Sequence, residues 1–477
     1  MTSARQPLSV ARLFRHGVAI GSLAFAIATV AACPAYAVTA VREPLTTSSK
    51  SPVAHDNEVM ALAAQSGRLY AATDQWEYTG PSPAGQILVK DSGHAPWRVF
   101  EQTQSLRVQA LDSFAIPRDQ GLGRGHSLLV TQAIVAGRSR IQWLLDGARS
   151  FALRDSYALP STRADVRAFG AHESAGTWSI YAGARPAGIL RGTWSRTRHT
   201  LVFDPRPELT AAPPGTPGRQ TQKVTGFADC GGALYVSINT NLYRRNDGRL
   251  PRGAARWMLV YQAPSVGPRN SGLRGLSCAT HRGSPSLLFS TEGDGNVYRL
   301  DHLPRGQLHR ALSLTPILEL SSRSAIAAML AGQGTTVPAT GKGAILYVIA
   351  AYNNFETLRL GGVPRQLFGL EWNYIGGCPS TRTCAPSSFD AAACFAIRTD
   401  LGSSPTYTFR CLSGPDFTPS RAQVSPVRSG QAFVAIRTFA ASPFGDARLY
   451  YGGYDCDFSP ADGAAWIASS TLRALRP

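Results

Sequence analysis

Lysine is nearly absent from this chain: Lys50, Lys90, Lys223 and Lys342 are the only four among 48 basic residues, set against 30 acids in 477 residues. The arginines are scattered rather than gathered in a stripe, so the formal charge of +18 reads as a basic solvated surface. No basic run is interleaved with aromatic residues as a single-strand binder requires, and nucleic acid is not an expected partner. No C-x-x-C pair occurs, which argues against a zinc ribbon and a thioredoxin-type redox centre. Beyond the first 37 residues no apolar run approaches the roughly 20 that a membrane-spanning helix needs, so no transmembrane span is expected. Catalytic signatures are missing too. Gly275-Leu276-Ser277-Cys278-Ala279 ends in Ala where a nucleophile elbow needs Gly, His172-Glu173 is followed by Gly176 where a zinc-protease helix needs a second His, and the Thr336 to Gly343 stretch lacks both the first Gly and the final Ser or Thr of a phosphate loop. With 44% hydrophobic and 16% charged residues the chain is neither disordered nor fibrous.

What is present begins with an export signal. Arg5, Arg12 and Arg15 precede an apolar run from Gly17 to Ala32, and Ala35-Tyr36-Ala37 forms a cleavage site ahead of Val38. Residues 1–37 are therefore expected to be a signal peptide, residues 38–58 a polar lead-in and residues 59–477 the folded unit. Losing three arginines with the leader takes the charge from +18 to +15. Val30-Ala31-Ala32-Cys33 also fits a bacterial lipobox, so lipidation at Cys33, with membrane anchoring, competes with release. Either route gives a periplasmic or extracellular protein. In that oxidising setting the other cysteines read as disulfide partners. Cys378 and Cys384 bracket a turn-rich stretch, Cys394 and Cys411 flank a hairpin, Cys230 and Cys278 hold equivalent places in neighbouring repeats, and Cys456 makes the number odd.

The repeat itself is an aliphatic residue followed by an aromatic or second aliphatic in an alternating strand. It occurs at Leu69-Tyr70, Leu128-Leu129, Ile180-Tyr181, Leu234-Tyr235, Leu288-Phe289, Leu346-Tyr347 and Leu449-Tyr450, at intervals of 59, 52, 54, 54, 58 and 103 residues. The last interval leaves room for a degenerate unit around Phe395 to Leu412. In one unit Val224–Ala228, Ala233–Ser237, Asn241–Arg245 and Arg256–Gln262 read as four strands; the next unit continues with Gly275–Cys278, Ser286–Ser290, Asn296–Leu300 and Ala311–Leu318. Ala-rich Ser324 to Leu330 reads as a helical interruption. Four short strands per 50-odd residues is the pattern of a propeller blade. The chain resembles the β-propeller superfamily in architecture: all-β, a single ring of about seven four-stranded blades, with six or eight as alternatives. The final unit, with Ala465-Trp466-Ile467, would lie beside the first at Ala61.

That reading places the loops between second and third strands around the mouth of a central channel. They carry Asp74, Trp76 and Glu77; Arg185; Asn239 and Asn241; Glu292 and Asp294; Asn353, Asn354 and Glu356; and Tyr454, Asp455 and Asp457. An acid-rich face on a basic chain, set with aromatic rings, suits a saccharide or other small molecule, or an envelope protein. The expected function is accordingly ligand binding or scaffolding at this face, with Glu371-Trp372-Asn373-Tyr374 as a second candidate surface. Glu292, Asn353 and Asp455 could also supply oxygen ligands to calcium. The set is similar to the channel calcium site of propeller lactonases and esterases of the paraoxonase and gluconolactonase type, which makes a calcium-dependent hydrolase the alternative function, with catalytic residues unassigned.

Overall fold

A four-stranded sheet that is apolar on both faces is stable only when neighbours cover both, and the chain solves this by closing a ring. The computed structural model describes residues 36–43, 45, 58–74, 85–122, 125–146, 148–162, 164–186, 188–210, 223–251, 255–264, 272–322, 324–325, 327, 345–353, 355–374, 393–402, 404–413, 433–455 and 465–475. They form a seven-bladed propeller. Blades 1 to 5 begin at Glu58–Gln65, Leu111–Ala115, Asp165–Ser174, Val224–Cys230 and Leu273–His281, and each adds three antiparallel strands outward in chain order. Blade 6 has an interrupted first strand, Ile345–Ala350 and Glu356–Leu360, followed by Val363–Tyr374, Cys394–Thr399 and Thr406–Ser413. Blade 7 is built from Phe433–Ala441, Arg448–Asp455 and Trp466–Thr471.

The repeated residue pair has a direct packing cause. Successive strand residues point to opposite faces, so Leu69 packs in the cluster shared with Tyr450 and Ile467 of blade 7, while Tyr70 packs with Leu129 and Leu144 of blade 2. Leu234 and Tyr235 divide in the same way between blades 3 and 5. Close approach between blades leaves no room for some side chains: a Cβ on Gly170 would lie 2.5 Å from Phe227 Cβ. Cys230–Cys278 joins the first strands of blades 4 and 5, and Cys394–Cys411 joins the outer strands of blade 6. Cys33, Cys378, Cys384 and Cys456 lie outside the described residues.

Several boundaries differ from the sequence reading. Leu346-Tyr347 belongs to the first strand of blade 6, not its second, and Phe395 and Leu412 sit in that blade's third and fourth strands, so no further repeat is hidden there. The last strand of blade 5 is Ile317–Leu320, later than Ala311–Leu318, because Val297 and Tyr298 pair with Leu320 and Leu318. Of the helical segment expected at Ser324 to Leu330, Ser324, Ala325 and Ala327 are helical, with Ala325 N–H donating to Ser321 C=O, and the remainder lies outside the described residues. The junction of the segments read as signal peptide and lead-in is structural. Tyr36–Thr39 runs parallel to Arg410–Ser413 of blade 6, and Val41–Arg42 pairs with Ala468 and Ser469 as the missing outer strand of blade 7. Glu43 then links the two ends of the ring, accepting hydrogen bonds from Ser469 Oγ (2.6 Å) and Lys90 Nζ (3.0 Å).

Candidate ligand site in the central channel

The innermost strands carry a second repeat. Arg107-Val108-Gln109-Ala110, Arg167-Ala168-Phe169-Gly170, Lys223-Val224-Thr225-Gly226, Arg274-Gly275-Leu276-Ser277 and Arg437-Thr438-Phe439-Ala440 share a cation followed at the third position by a small residue. Blade 1 has Glu58-Val59-Met60-Ala61 in this place, and blade 6 has Tyr352. Register shifts next to this position in blades 1, 3, 4, 5 and 7 mark bulges, which re-aim side chains at the rim of a sheet.

These residues meet. Arg437 Nε donates to Glu58 Oε1 (2.6 Å), and its Nη1 donates to Glu371. Arg107 Nε is shared between Asp74 Oδ1 (2.6 Å) and Oδ2 (2.8 Å), and its Nη2 stands 3.6 Å from Glu58 Oε2. Arg274 Nε donates to Glu292 Oε2 (2.8 Å). The guanidinium carbons of Arg274 and Arg437 lie 4.5 Å and 4.0 Å from the centre of the Tyr352 ring, a favourable cation–π arrangement. Arg185 Nε donates to Asp165 Oδ1 (3.0 Å). Every blade thus contributes to one charged cluster.

Two cations in it are poorly matched. Arg167 Nε is buried, has no hydrogen-bond partner, and comes only within 3.8 Å of Asp165 Oδ2; burial pushes its pKa down, opposed by Tyr352, with Arg274 and Arg107 adding to the fall. The Lys223 ammonium makes no hydrogen bond or ion pair among the described residues. Burial, then Arg167 and Arg274, pulls it down to about 8. Burial and Glu58 raise Asp74 to about 6 against the pull of Arg107, and burial raises Glu371. Below the cluster the channel widens into a cavity of about 250 Å³. Its wall includes Met60, Phe169, Phe355 and Phe439, with Gln109 and Thr225 as polar groups and Arg167 at its edge. Asp112 and Glu356 also line it, and burial raises both to about 7, the Phe169 N–H opposing the shift at Asp112.

The loop residues chosen from the sequence divide into three groups. Asp74, Arg185 and Glu292 reach the mouth, each held by a partner of opposite charge, and among the described residues there Arg107, Arg167, Arg185, Lys223, Arg274 and Arg437 stand with Glu58, Asp74, Asp165, Glu292 and Glu371. Asn239 and Asp294 organise turns, accepting from Lys223 N–H (3.0 Å) and Asn296 N–H (3.0 Å), and Asn241 donates to Tyr243 Oη (3.2 Å). Trp76, Glu77, Asn354 and Asp457 lie outside the described residues, as do the side chains of Tyr454, Asp455 and Trp372 to Tyr374. Of the calcium set, Glu292 is engaged by Arg274, and Asn353 donates to the Met60 carbonyl. Among the described residues no three His, Cys, Asp or Glu side chains are grouped to hold a metal ion.

No protein-family model matches the chain, and no curated protein matches it. Among solved structures it is similar to the β-propeller domain of Myceliophteria thermophila Cps50 (Swd1), at 12% identity and a TM-score of 0.44 over 87% of this chain and 97% of that one. It is also similar to Chaetomium thermophilum Raptor, at 12% identity and a TM-score of 0.43 over 91% of this chain and 29% of that one.

Proposed function

We propose that this chain is an exported ligand-binding module that receives its ligand at the mouth of the propeller channel, on the face formed by the loops between second and third strands. The observation that carries the reading is the converging ring of Glu58, Arg107, Arg167, Lys223, Arg274, Tyr352 and Arg437, one residue from each blade. Burying so many charges costs several kcal/mol per ion before pairing offsets it, and well-packed apolar residues would close a channel at no such cost. A site that must hold a polar ligand away from water explains the expense. Two disulfides and the absence, among the described residues, of any helix long and apolar enough to cross a membrane are compatible with the export signal at residues 1–37.

The test is a thermal-shift screen of sugars, sugar acids, amino acids, envelope glycans and calcium on wild type and on Tyr352→Ala, since a ligand that binds only the folded state raises the midpoint by mass action. At least one compound should stabilise wild type and lose that effect in the variant. Stabilising compounds that act equally on both proteins would move the site elsewhere. Recovery of the protein from the growth medium or periplasm with Val38 at its amino terminus checks export; a cytoplasmic full-length chain would refute it.

A further inference from the structure

We infer that the channel takes a small hydroxylated organic anion, its acidic group seated on Arg167 and Lys223 and its body in the cavity below. The inference rests on the channel-mouth reading and adds the chemistry of the ligand. The other cations in the ring are spoken for: Arg107 by Asp74, Arg274 by Glu292, Arg437 by Glu58 and Glu371. Arg167 and Lys223 hold equivalent positions in adjacent blades, 3 and 4, each three residues before a glycine, and Arg167 lines the cavity; the charge of Arg167 also contributes to lowering Lys223. Arg167 Nε is a buried donor without a hydrogen-bond partner, which costs about 1–3 kcal/mol, and an anion seated there would supply the acceptor it lacks. A guanidinium edge beside an ammonium suits the oxygens of a carboxylate or a phosphate.

The cavity sets the remainder of the molecule. At about 250 Å³ it falls below the roughly 300–1,000 Å³ of sites for drug-sized ligands, which points to something of monosaccharide size. Gln109, Thr225 and Asn353 line the cavity with donors and acceptors, and the lining is mostly polar, as the hydroxyls of a sugar require. Asp112 and Glu356 can accept from hydroxyls when ionised and donate when protonated. A hexuronate and a sugar phosphate share this chemistry: an acid at one end and hydroxyls along the body.

Titration calorimetry of the disulfide-intact protein with glucuronate, galacturonate, glucose 6-phosphate, glucose and inorganic phosphate tests it. One of the sugar anions should bind, glucose and inorganic phosphate should bind at least about tenfold more weakly, and Lys223→Met and Arg167→Gln should each weaken the sugar anion by about tenfold or more. Binding by the uronates alone assigns a carboxylate, and binding by glucose 6-phosphate alone assigns a phosphate. Lys223 has no partner to abandon, so Lys223→Met should keep the wild-type thermal midpoint without ligand, which separates lost binding from lost folding. Equal binding of glucose and glucuronate, or sugar-anion binding unchanged in both variants, would overturn the anion site. If a neutral compound binds and loses affinity in Tyr352→Ala, the channel-mouth reading survives and only the anionic class falls; if nothing that binds is sensitive to Tyr352→Ala, both fall.

Discussion

His172 should titrate far above an ordinary histidine, and its charge should hold blades 3 and 4 together. The ring is 2% exposed; Nδ1 lies 3.0 Å from Asp229 Oδ2 and Nε2 lies 3.0 Å from Asp247 Oδ2. Only the imidazolium can donate from both nitrogens at once. Burial by itself would lower the pKa, but the two hydrogen bonds and the charges of both aspartates outweigh it and carry it from 6.5 up to about 9. That rise corresponds to about 3 kcal/mol, which solvent around the half-exposed Asp229 reduces to about 2 kcal/mol. Because the folded pKa lies above the unfolded one, the stabilisation is complete below about pH 6.5 and is lost as pH rises through about 9. The assay is a ¹H–¹³C NMR titration of the His172 ring, assigned with His172→Gln, together with urea unfolding of both proteins at pH 7 and pH 10. The stability gap between them should shrink by about 2 kcal/mol at the higher pH. A ring midpoint at or below 6.5, or a gap independent of pH, would refute the reasoning.

The channel carboxyls act in the same sense at lower pH. Asp112 and Glu356 are raised by burial to about 7 from an unfolded value near 4, so the folded state holds their protons longer and stability should fall as pH rises from about 4 to 7; Asp112→Asn with Glu356→Gln should flatten that fall in thermal midpoints, and an unchanged slope would count against it. Arg398, fully buried at the junction of blades 5 and 6, donates from Nε (2.7 Å) and Nη2 (2.9 Å) to Glu319 and also reaches Asp400 and Gln366. Arg398→Met removes two hydrogen bonds to buried Glu319, which keeps Arg299 and Tyr407, and should cost about 2–3 kcal/mol in chemical denaturation, whereas a loss under about 1 kcal/mol would show the pair to be dispensable. A mature chain lacking Val38 to Glu43 forfeits the outer strand of blade 7 and the Glu43 link to blade 1, so amide exchange at Trp466–Thr471 should quicken selectively; protection equal to wild type would mean the ring closes without that strand.

The blades were legible because each must bury two faces, and that requirement writes itself into neighbouring residues such as Leu234-Tyr235. Blade 6 was misregistered because Leu346-Tyr347 satisfies the same local pattern from the first strand, where alternation is equally at home. The seat of Val41–Arg42 left no signal, since two residues at a sheet edge need only backbone hydrogen bonds. At the channel, the acids were found through their turns, but their cationic partners lie on other strands: Glu58 and Arg437 are 379 residues apart. The recurring cation before a small residue was there to be read in five units, yet pairing could not be.

By itself the sequence determined the all-β ring and the repeat that closes it, because those follow from periodicity; it placed Cys230 with Cys278 and Cys394 with Cys411 in matching positions, and the fold fixed the pairing. Which charges cancel was decided only in three dimensions. The sign of the channel mouth depends on distances of 2.6 to 3.8 Å between side chains from different blades. Composition cannot encode such distances, and closing the ring is what leaves Arg167 Nε without a hydrogen-bond partner beside a cavity.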